Sequence, residues 1–285
     1  MKTRVAIMTG RRIILEETIY HIIQRAPGRE VLFLEENDYL RFLFLLKKIK
    51  HEFNLSIFCF SLLTNHLHIL LKIKQRNLDK AMKSLFQSYA QYFNKKYQRK
   101  GHVFCGAYRA FLCGNDSYLL VASLYIHLNA YKANLSSTPF LYRWHSLDVY
   151  IKSIKSSLIN GKLVLDVISS KLGDAKKIYR KLVEDSYDIE YKNVMENKAA
   201  VKSFHSRAVI FFKDKLKDSQ SLLNPLFDLE QAIEAFSNKK RINDIEEKNA
   251  LRYLIQQMVS RGFTVDSIAE KLNYNRSHIY YFLKK

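Results

Sequence analysis

Residues 57–73 read IFCFSLLTNHLHILLKI and place two apolar runs on either side of a short polar insert. In a β-strand, successive side chains point to opposite faces, so His66 and His68 project together while Leu67 points to the other side. Two neighbouring imidazoles supply half of a metal site, but a His-x-His pattern by itself is more often two polar residues at a strand edge. The rest of the chain has to decide between these interpretations.

The net charge narrows the class of partner. The 285 residues include 47 Lys and Arg against 27 Asp and Glu, which gives a formal net charge of +20. Such an excess favours binding to nucleic acid or to another anionic surface. A hydrophobic content of 48% and an aromatic content of 13% are ample for a folded core, and 8 Gly and 3 Pro leave little room for long flexible linkers.

The cysteine spacing and the lengths of the apolar runs indicate the cellular compartment of the protein. The spacing of Cys59, Cys105 and Cys113 fits neither a zinc site nor a disulfide framework. The sequence has neither the regions of a signal peptide nor an apolar run long enough to span a bilayer. We therefore expect a soluble, cytoplasmic protein without a membrane partner, associated with the nucleoid if it binds DNA.

Hydrophobic periodicity predicts alternating strands and helices around the opening stretch. In chain order, the predicted elements are a strand at 17–24, a helix at 39–53, strands at 55–63 and 66–73, a helix at 77–97, an extended segment at 103–113 and a helix at 118–131. One broad apolar face of the first helix is predicted from Leu40, Leu43, Phe44, Ile49 and Phe53. The order of elements predicts an α+β fold with an antiparallel sheet.

Three regions are predicted along the chain. Residues 1–150 contain the α+β domain and end in an irregular stretch. Residues 151–240 form a charged, helical connecting region, with helical patterns at 175–183 and 206–216. Residues 241–285 form an all-α module.

The pattern of residues 241–285 is typical of a helix-turn-helix. Thr264 can cap a predicted helix at 265–272, a polar turn follows, and Arg276, Ser277 and His278 open the last predicted helix. The start of the second helix contacts DNA in such motifs, which agrees with the basic charge of the chain. The alternative is a small helical hairpin that packs on the first domain.

A second set of polar residues can complete the metal site. Tyr125 and Asn129 are four apart in a predicted helix and therefore share a face. Asn129 could add an amide oxygen to a metal held by the two histidines, and Tyr125 would then carry a nucleophile for attack on a phosphodiester. Mg²⁺ or Mn²⁺ suits such an open site, and Zn²⁺ is not excluded. Spacing alone does not single out this residue among 18 tyrosines, since Tyr89 and Tyr92 fit as well.

Five short segments occur in the order and spacing of a known family. They are YHIIQR at 20–25, NHLHILL at 65–71, YFN at 92–94, YIHLN at 125–129 and YRWHS at 142–146, the last similar to a Trp-Ser-Ser segment that closes the domain. On these segments, residues 1–150 resemble single-tyrosine HUH transposases, in the branch of REP-associated tyrosine transposases. Two departures are Ala130 in place of the usual Pro and His145 in place of the first Ser.

The resemblance implies a fold, a reaction and a substrate. The fold would be ferredoxin-like, with His66, His68 and Asn129 holding Mg²⁺ or Mn²⁺. Tyr125 would form a 5′-phosphotyrosine link with single-stranded DNA that folds into imperfect hairpins, as in repetitive palindromic or transposon-end elements. Relatives act as monomers or as dimers that exchange the tyrosine helix, which leaves a homodimer open.

The remaining polar residues are assigned to DNA contact or to structure. Predicted DNA contacts come from Arg25, Lys95, Lys96, Arg99, Lys100, Arg276, Ser277 and His278. A solvated charged surface is the alternative for the basic run at 95–100. Four further histidines, His21, His102, His127 and His145, are interpreted as structural or DNA-facing rather than as ligands.

Other functions remain open at this point. A replication initiator or relaxase-like nickase would use the same chemistry but commonly carries larger partner domains. A catalytically idle helix-turn-helix regulator would not need the predicted catalytic residues. A basic RNA-binding or ribosome-associated protein accounts for the charge but not for the combination of two histidines, a tyrosine and an asparagine.

Overall fold

The structure is a computed structural model, and it describes residues 14, 17–28, 30–113, 116–187, 229–238, 242, 245–260 and 263–284. The helical pattern predicted at 206–216 lies outside the described residues.

A four-stranded sheet and three long helices form the first part of the chain. In order, the elements are β1 (Ile19–Arg25), α1 (Glu36–Glu52), β2 (Ser56–Leu62), β3 (His66–Lys72), α2 (Leu78–Lys96), β4 (Arg109–Cys113) and α3 (Asp116–Lys132). The strand order is β2-β3-β1-β4, and every pairing is antiparallel. The β-α-β-β-α-β order of the first six elements is ferredoxin-like. The predicted α+β fold with an antiparallel sheet is confirmed.

Helices cover both faces of this sheet. On β1, the ring of His21 lies 5.8 Å from the ring of Tyr125 in α3. Gln24 lies three positions later and therefore on the opposite face, where it lines a groove together with Met82 and Phe86 of α2. Accordingly, α3 packs on the face that carries His68, and α2 packs on the other.

The predicted apolar face of α1 is wrong at two of its five residues, whereas Ile49 is buried and Leu43 and Phe53 pack against the core. Leu40 and Phe44 are 45% and 58% exposed, and the buried hydrophobic residues of the helix are Tyr39, Phe42, Leu45, Leu46 and Ile49. The helix carries apolar residues around most of its circumference, so spacing alone admits two stripes. Tertiary contacts select between the two stripes. Tyr39 is buried because it stacks on Trp144, with ring centroids 4.3 Å apart. Phe44 stays on the exposed side, where the Arg41 guanidinium lies 5.3 Å from its ring.

The extended segment predicted at 103–113 is a strand only over its last part, Arg109–Cys113. Gly101 and Gly106 take positive φ angles of 104° and 63°, which an extended strand does not contain. The chain therefore forms a loop before β4, and this loop packs Phe104 against Phe86 of α2 at 5.0 Å between ring centroids.

Helices continue after residue 146. They are α4 (Leu147–Ile151), α5 (Lys162–Asp166), α6 (Leu172–Asp185), α7 (Leu229–Ser237), α8 (Ile245–Ser260), α9 (Val265–Leu272) and α10 (Arg276–Lys284). Both α5 and α6 contact α3. Buried contacts thus cross the predicted boundary at residue 150, and the three-region division stays a prediction.

The last two helices surround a short turn. The hydroxyl of Thr264 accepts a hydrogen bond from the backbone N–H of Ser267, so this residue caps α9 as predicted. Asn273 ends α9 with a positive φ of 55°. At the end of α10, the backbone carbonyl of Leu283 accepts a hydrogen bond of 2.7 Å from Arg76. Use of this helix pair as a DNA-binding module stays a prediction.

None of the helices in the described part of the chain combines the length and the apolar content needed to cross a membrane.

Candidate active site

Strand β3 places two imidazoles on the sheet face under α3. The ring centroids of His66 and His68 are 5.2 Å apart, and Leu67 between them is fully buried in the hydrophobic core. Helix α3 crosses this face and brings the Tyr125 ring to 5.4 Å from the His68 ring. Alternation on the strand and packing of the helix therefore bring the two histidines and the tyrosine together.

Asn129 completes the group one helical turn after Tyr125. Its side chain is only 9% exposed. Burial lowers the pKa of His66 to about 4, and a smaller effect of the Asn129 amide opposes that shift. Burial likewise raises the pKa of Tyr125 to about 12, again opposed by the Asn129 amide. The amide thus lies close enough to interact with both an imidazole and the phenol.

Of the polar atoms at this point that are buried and lack a hydrogen-bond partner within the described residues, three belong to the candidate ligand side chains. They are Nε2 of His66, Nε2 of His68 and the amide nitrogen of Asn129. The other ring nitrogens are engaged: Nδ1 of His66 bonds to Oδ1 of Asn65 at 2.7 Å, and Nδ1 of His68 bonds to Nε2 of His21 at 2.9 Å. Because buried polar atoms are nearly always paired, three unpaired ones at one place indicate the position of a ligand.

Burial keeps these histidines neutral. It lowers the pKa of His21 to about 3 and, with smaller effects of the two neighbouring histidines, lowers the pKa of His68 well below its usual value. A neutral imidazole is the form that coordinates a metal ion. The protonation state at neutral pH therefore suits metal binding.

The donor set fits an open site for a divalent cation. No cluster of three or more His, Cys, Asp or Glu side chains that could hold a metal occurs within the described ranges. Protein ligands would accordingly be the two imidazoles and the Asn129 amide, and the remaining positions would be left for water or substrate oxygens. Imidazole and oxygen ligands suit Mn²⁺, and Mg²⁺ keeps several waters in sites of this kind.

The lysine and arginine side chains that were predicted to contact DNA fall into two groups. Lys96 bonds to Asp38 at 2.7 Å and to Glu35 at 2.6 Å, and Arg99 bonds to Glu30 at 2.5 Å, so acidic partners within the molecule offset these charges. Lys95, Lys100 and Arg25 have exposed side chains. Of these, Arg25 pairs with His66 in the register of β1 and β3, which places it beside the site.

The start of α10 is exposed. Arg276, Ser277 and His278 all face solvent, and Arg276 forms an ion pair of 2.8 Å with Asp266, each side chain being 65% exposed. An ion pair this exposed contributes little and breaks at low cost, so it leaves the arginine accessible to a ligand.

Three residues next to the candidate metal ligands were not recognised from the sequence as part of the site. His21 and Asn65 hydrogen-bond to the ligand imidazoles. Ser61 lies opposite His68 in the β2–β3 register, and its buried hydroxyl has no partner within the described residues. The pairing register identifies His21 and Ser61, and a single sequence does not contain that register. Asn65 directly precedes His66 in the sequence. By contrast, His127 and His145 are buried and hydrogen-bonded elsewhere in the fold.

Comparison with protein families gives a match to the model described as "Transposase IS200 like" over residues 15–129. This interval contains the strands of the sheet and ends on Asn129, so it includes both histidines and Tyr125. This part of the chain is therefore similar to the IS200-like transposases, a family of DNA-cleaving enzymes. The transposase resemblance stated from the sequence motifs is confirmed.

Among solved structures, one described as a REP-associated tyrosine transposase bound to a REP hairpin is similar to this chain. The identity is 11% and the TM-score is 0.44, with 53% of this chain and 95% of that chain covered. A comparison with curated proteins gives no match. The similarity to the family rests on the sequence match over residues 15–129.

Proposed function

We propose that this protein is a tyrosine transposase of the REP-associated branch. It cleaves and rejoins single-stranded, hairpin-containing DNA through a 5′-phosphotyrosine intermediate on Tyr125. His66, His68 and Asn129 hold a divalent cation, Mg²⁺ or Mn²⁺. The observation that carries the proposal is the pair of unpaired, buried imidazole nitrogens, Nε2 of His66 and Nε2 of His68, beside the Tyr125 ring.

Rigid elements hold the ligands. The two imidazoles come from the central strand β3 and the amide from the covering helix α3, so their positions are fixed before substrate binds. When bound there, the cation would polarise the scissile phosphate and offset the charge that develops in the transition state.

Tyr125 is the nucleophile of the proposed reaction. Its Oη attacks the scissile phosphorus, a Tyr–O–P bond forms, and the P–O3′ bond breaks. The released 3′ oxygen takes up a proton, and the phenol gives up its own to solvent. Burial raises the pKa of Tyr125 to about 12, so the phenol is protonated at neutral pH and must lose its proton as it attacks. The Asn129 amide opposes this shift and therefore favours the phenolate.

Rejoining is the reverse of cleavage. A 3′-hydroxyl attacks the phosphotyrosine, forms a new P–O3′ bond and releases the tyrosine. One phosphoester bond replaces another in each direction, so the reaction needs no external energy source. This balance is what strand transfer between two DNA ends requires.

Binding of the DNA would use the exposed cations. Arg25 lies beside the site, Lys95 is exposed in the last turn of α2 and Lys100 in the loop after it, and Arg276, Ser277 and His278 open α10. Together with the net charge of +20, they would neutralise phosphates along the strand. Lys96 and Arg99 have acidic partners, and we expect them to contribute less.

The test is formation of a covalent protein–DNA adduct. The full chain is incubated with single-stranded hairpin DNA and Mn²⁺ or Mg²⁺, and the adduct is resolved on a denaturing gel. We expect the adduct with the natural protein and none with Tyr125→Phe, which should still bind the DNA. Tyr92→Phe is the matched control, because Tyr92 also fits the sequence pattern but bonds to Asp38.

Three outcomes would contradict the proposal. An adduct that persists in Tyr125→Phe would place the nucleophile elsewhere. An adduct that forms without transfer to a second DNA end would favour a replication initiator or relaxase-like nickase, which shares the cleavage step. Absence of the adduct together with tight duplex binding would favour a helix-turn-helix regulator.

A further inference from the structure

We propose that His21 is a positioning residue that holds His68 in the one proton arrangement able to bind the metal. In this arrangement Nδ1–H of His68 donates to Nε2 of His21, and Nε2 of His68 carries the lone pair. The inference rests on the proposed metal site, and it assigns a role to a residue outside the ligand set.

The geometry of the sheet brings these two histidines together. In the antiparallel pairing of β1 and β3, Ile23 lies opposite His68, and His21 lies two positions earlier on the same face. The distance between Nε2 of His21 and Nδ1 of His68 is 2.9 Å, which is a hydrogen bond. Both side chains are completely buried, so water does not compete for this bond.

Neighbouring rings fix the position of His21. Its ring lies 5.8 Å from the Tyr125 ring and 6.2 Å from the Phe111 ring, measured between centroids. Packing between α3 on one side and β4 on the other restricts the rotation of the imidazole. His21 can therefore hold His68 at a defined angle rather than follow its motion.

Proton positions make this bond decisive for metal binding. A neutral imidazole carries one proton, and a nitrogen that binds a metal must be the one without it. If Nε2 of His68 is a ligand, its proton is on Nδ1 and must be donated to His21. The reverse bond, donated by His21, would leave the proton on Nε2 of His68 and block the ligand position.

His66 provides an internal comparison. Its Nδ1 bonds to the Oδ1 of Asn65 at 2.7 Å, and an amide oxygen can only accept, so His66 is held with its Nε2 unprotonated. Asn65 is exposed, however, and water can replace its oxygen when it is removed. His21 is buried and has no such replacement, so we expect its removal to matter more.

The first experiment measures Mn²⁺ binding to the full chain without DNA, from the electron paramagnetic resonance signal of the free ion. Metal-ligating histidines that lose their hydrogen-bond partner commonly lose about 10- to 100-fold in affinity. We expect a loss of this size in His21→Phe, which keeps a ring but no acceptor. His21→Gln keeps an acceptor oxygen at a similar distance and should regain most of the affinity, and Asn65→Ala should lose less than His21→Phe.

Controls separate this inference from the proposed function. Loss of Mn²⁺ binding in His68→Ala with natural affinity in His21→Phe would overturn the role of His21 and leave the metal site intact. Absence of Mn²⁺ binding by the natural protein would overturn both. Equal affinity losses in His21→Gln and His21→Phe, both folded by circular dichroism, would assign His21 to packing and overturn its role as an acceptor.

A second measurement does not depend on substitution. Nitrogen chemical shifts from NMR of the ¹⁵N-labelled chain saturated with Mg²⁺ report which ring nitrogen carries the proton. We expect His68 and His21 both to be protonated on Nδ1. A proton on Nε2 of His21 would overturn the inference, because the bond would then be donated in the wrong direction.

Discussion

Two buried polar clusters lie along α3 (Asp116–Lys132), one around His68 and one around His127. In the second cluster both ring nitrogens are engaged: Nδ1 of His127 bonds to the hydroxyl of Tyr179 and Nε2 to that of Ser146, each at 2.8 Å. In the first, Nε2 of His68 has no hydrogen-bond partner within the described residues. His127 and His68 lie at the same helix–sheet interface, but only His127 has a partner for both ring nitrogens. This difference distinguishes a structural cluster from a candidate binding site.

The complete cluster supports the incomplete one. The hydroxyl of Ser146 also accepts a hydrogen bond of 2.9 Å from the backbone of Phe60 in β2, and Tyr179 belongs to α6. His127 therefore ties α3 to the sheet and to α6. Tyr125 lies two residues earlier on α3, so the same bonds fix the helix that carries the proposed nucleophile.

The largest effect is expected for DNA cleavage when the incomplete cluster loses a ligand. His68→Ala removes one of two imidazoles, and we expect adduct formation with hairpin DNA to fall at least about 100-fold, as for loss of a group that stabilises transition-state charge. Gel quantification of the adduct over time measures this. The variant also leaves Nε2 of His21 buried without its partner, so the free energy of unfolding should fall by about 1–3 kcal/mol. Unchanged cleavage would show that the metal binds elsewhere.

A larger loss of stability is expected when the complete cluster loses His127, because two hydrogen bonds are then broken. His127→Ala leaves the hydroxyls of Tyr179 and Ser146 buried without this partner, and each such group costs about 1–3 kcal/mol. We therefore expect the free energy of unfolding in urea to fall by about 2–4 kcal/mol. Ser146→Ala breaks one of the two bonds and is the matched variant. A loss below about 1 kcal/mol in His127→Ala would contradict the structural role.

Sequence patterns predicted the strands and helices because each pattern records a local choice of backbone and of buried face. They misplaced the buried face of α1, since Leu40 and Tyr39 satisfy helical spacing equally well. Stacking of Tyr39 on Trp144, more than 100 residues later in the chain, decides between them. Contacts at this separation are not visible in local periodicity.

The same reason limits what the sequence reveals of the site. His66 and His68 are close in sequence, and Tyr125 and Asn129 are one helical turn apart, so each pair follows from local geometry. That the two pairs meet was inferred from the family resemblance. His21 joins them only through the register of β1 on β3, which depends on the whole sheet.

A third buried polar group, around Asp38, contains a charged side chain. Burial acts to raise the pKa of Asp38, but hydrogen bonds from Lys96, Tyr97 and two backbone N–H groups outweigh it, and the pKa is lowered. A carboxyl with a depressed pKa contributes stability above its unfolded pKa, and this contribution is lost as the pH falls through the folded value.

Asp38→Asn tests this third cluster. We expect the free energy of unfolding at pH 7 to fall by about 1–3 kcal/mol, because a charged acceptor is replaced. The difference from the natural protein should shrink as the pH falls below the normal range of an aspartate. Urea denaturation at a series of acidic pH values measures it, and a difference that stays constant with pH would contradict the assignment.

The smallest effect is expected for DNA binding when an exposed lysine is removed. The comparison here is between two surface lysines, Lys96 and Lys100. Lys96 has acidic partners at 2.6 and 2.7 Å, whereas Lys100 is exposed four residues later. A lysine that neutralises a phosphate releases a counterion, so Lys100→Ala should reduce the slope of log affinity against log salt by about 1. Lys96→Ala should leave that slope unchanged at a temperature where both variants are folded. If Lys96→Ala reduces the slope as much as Lys100→Ala does, the acidic partners release Lys96 when single-stranded DNA binds.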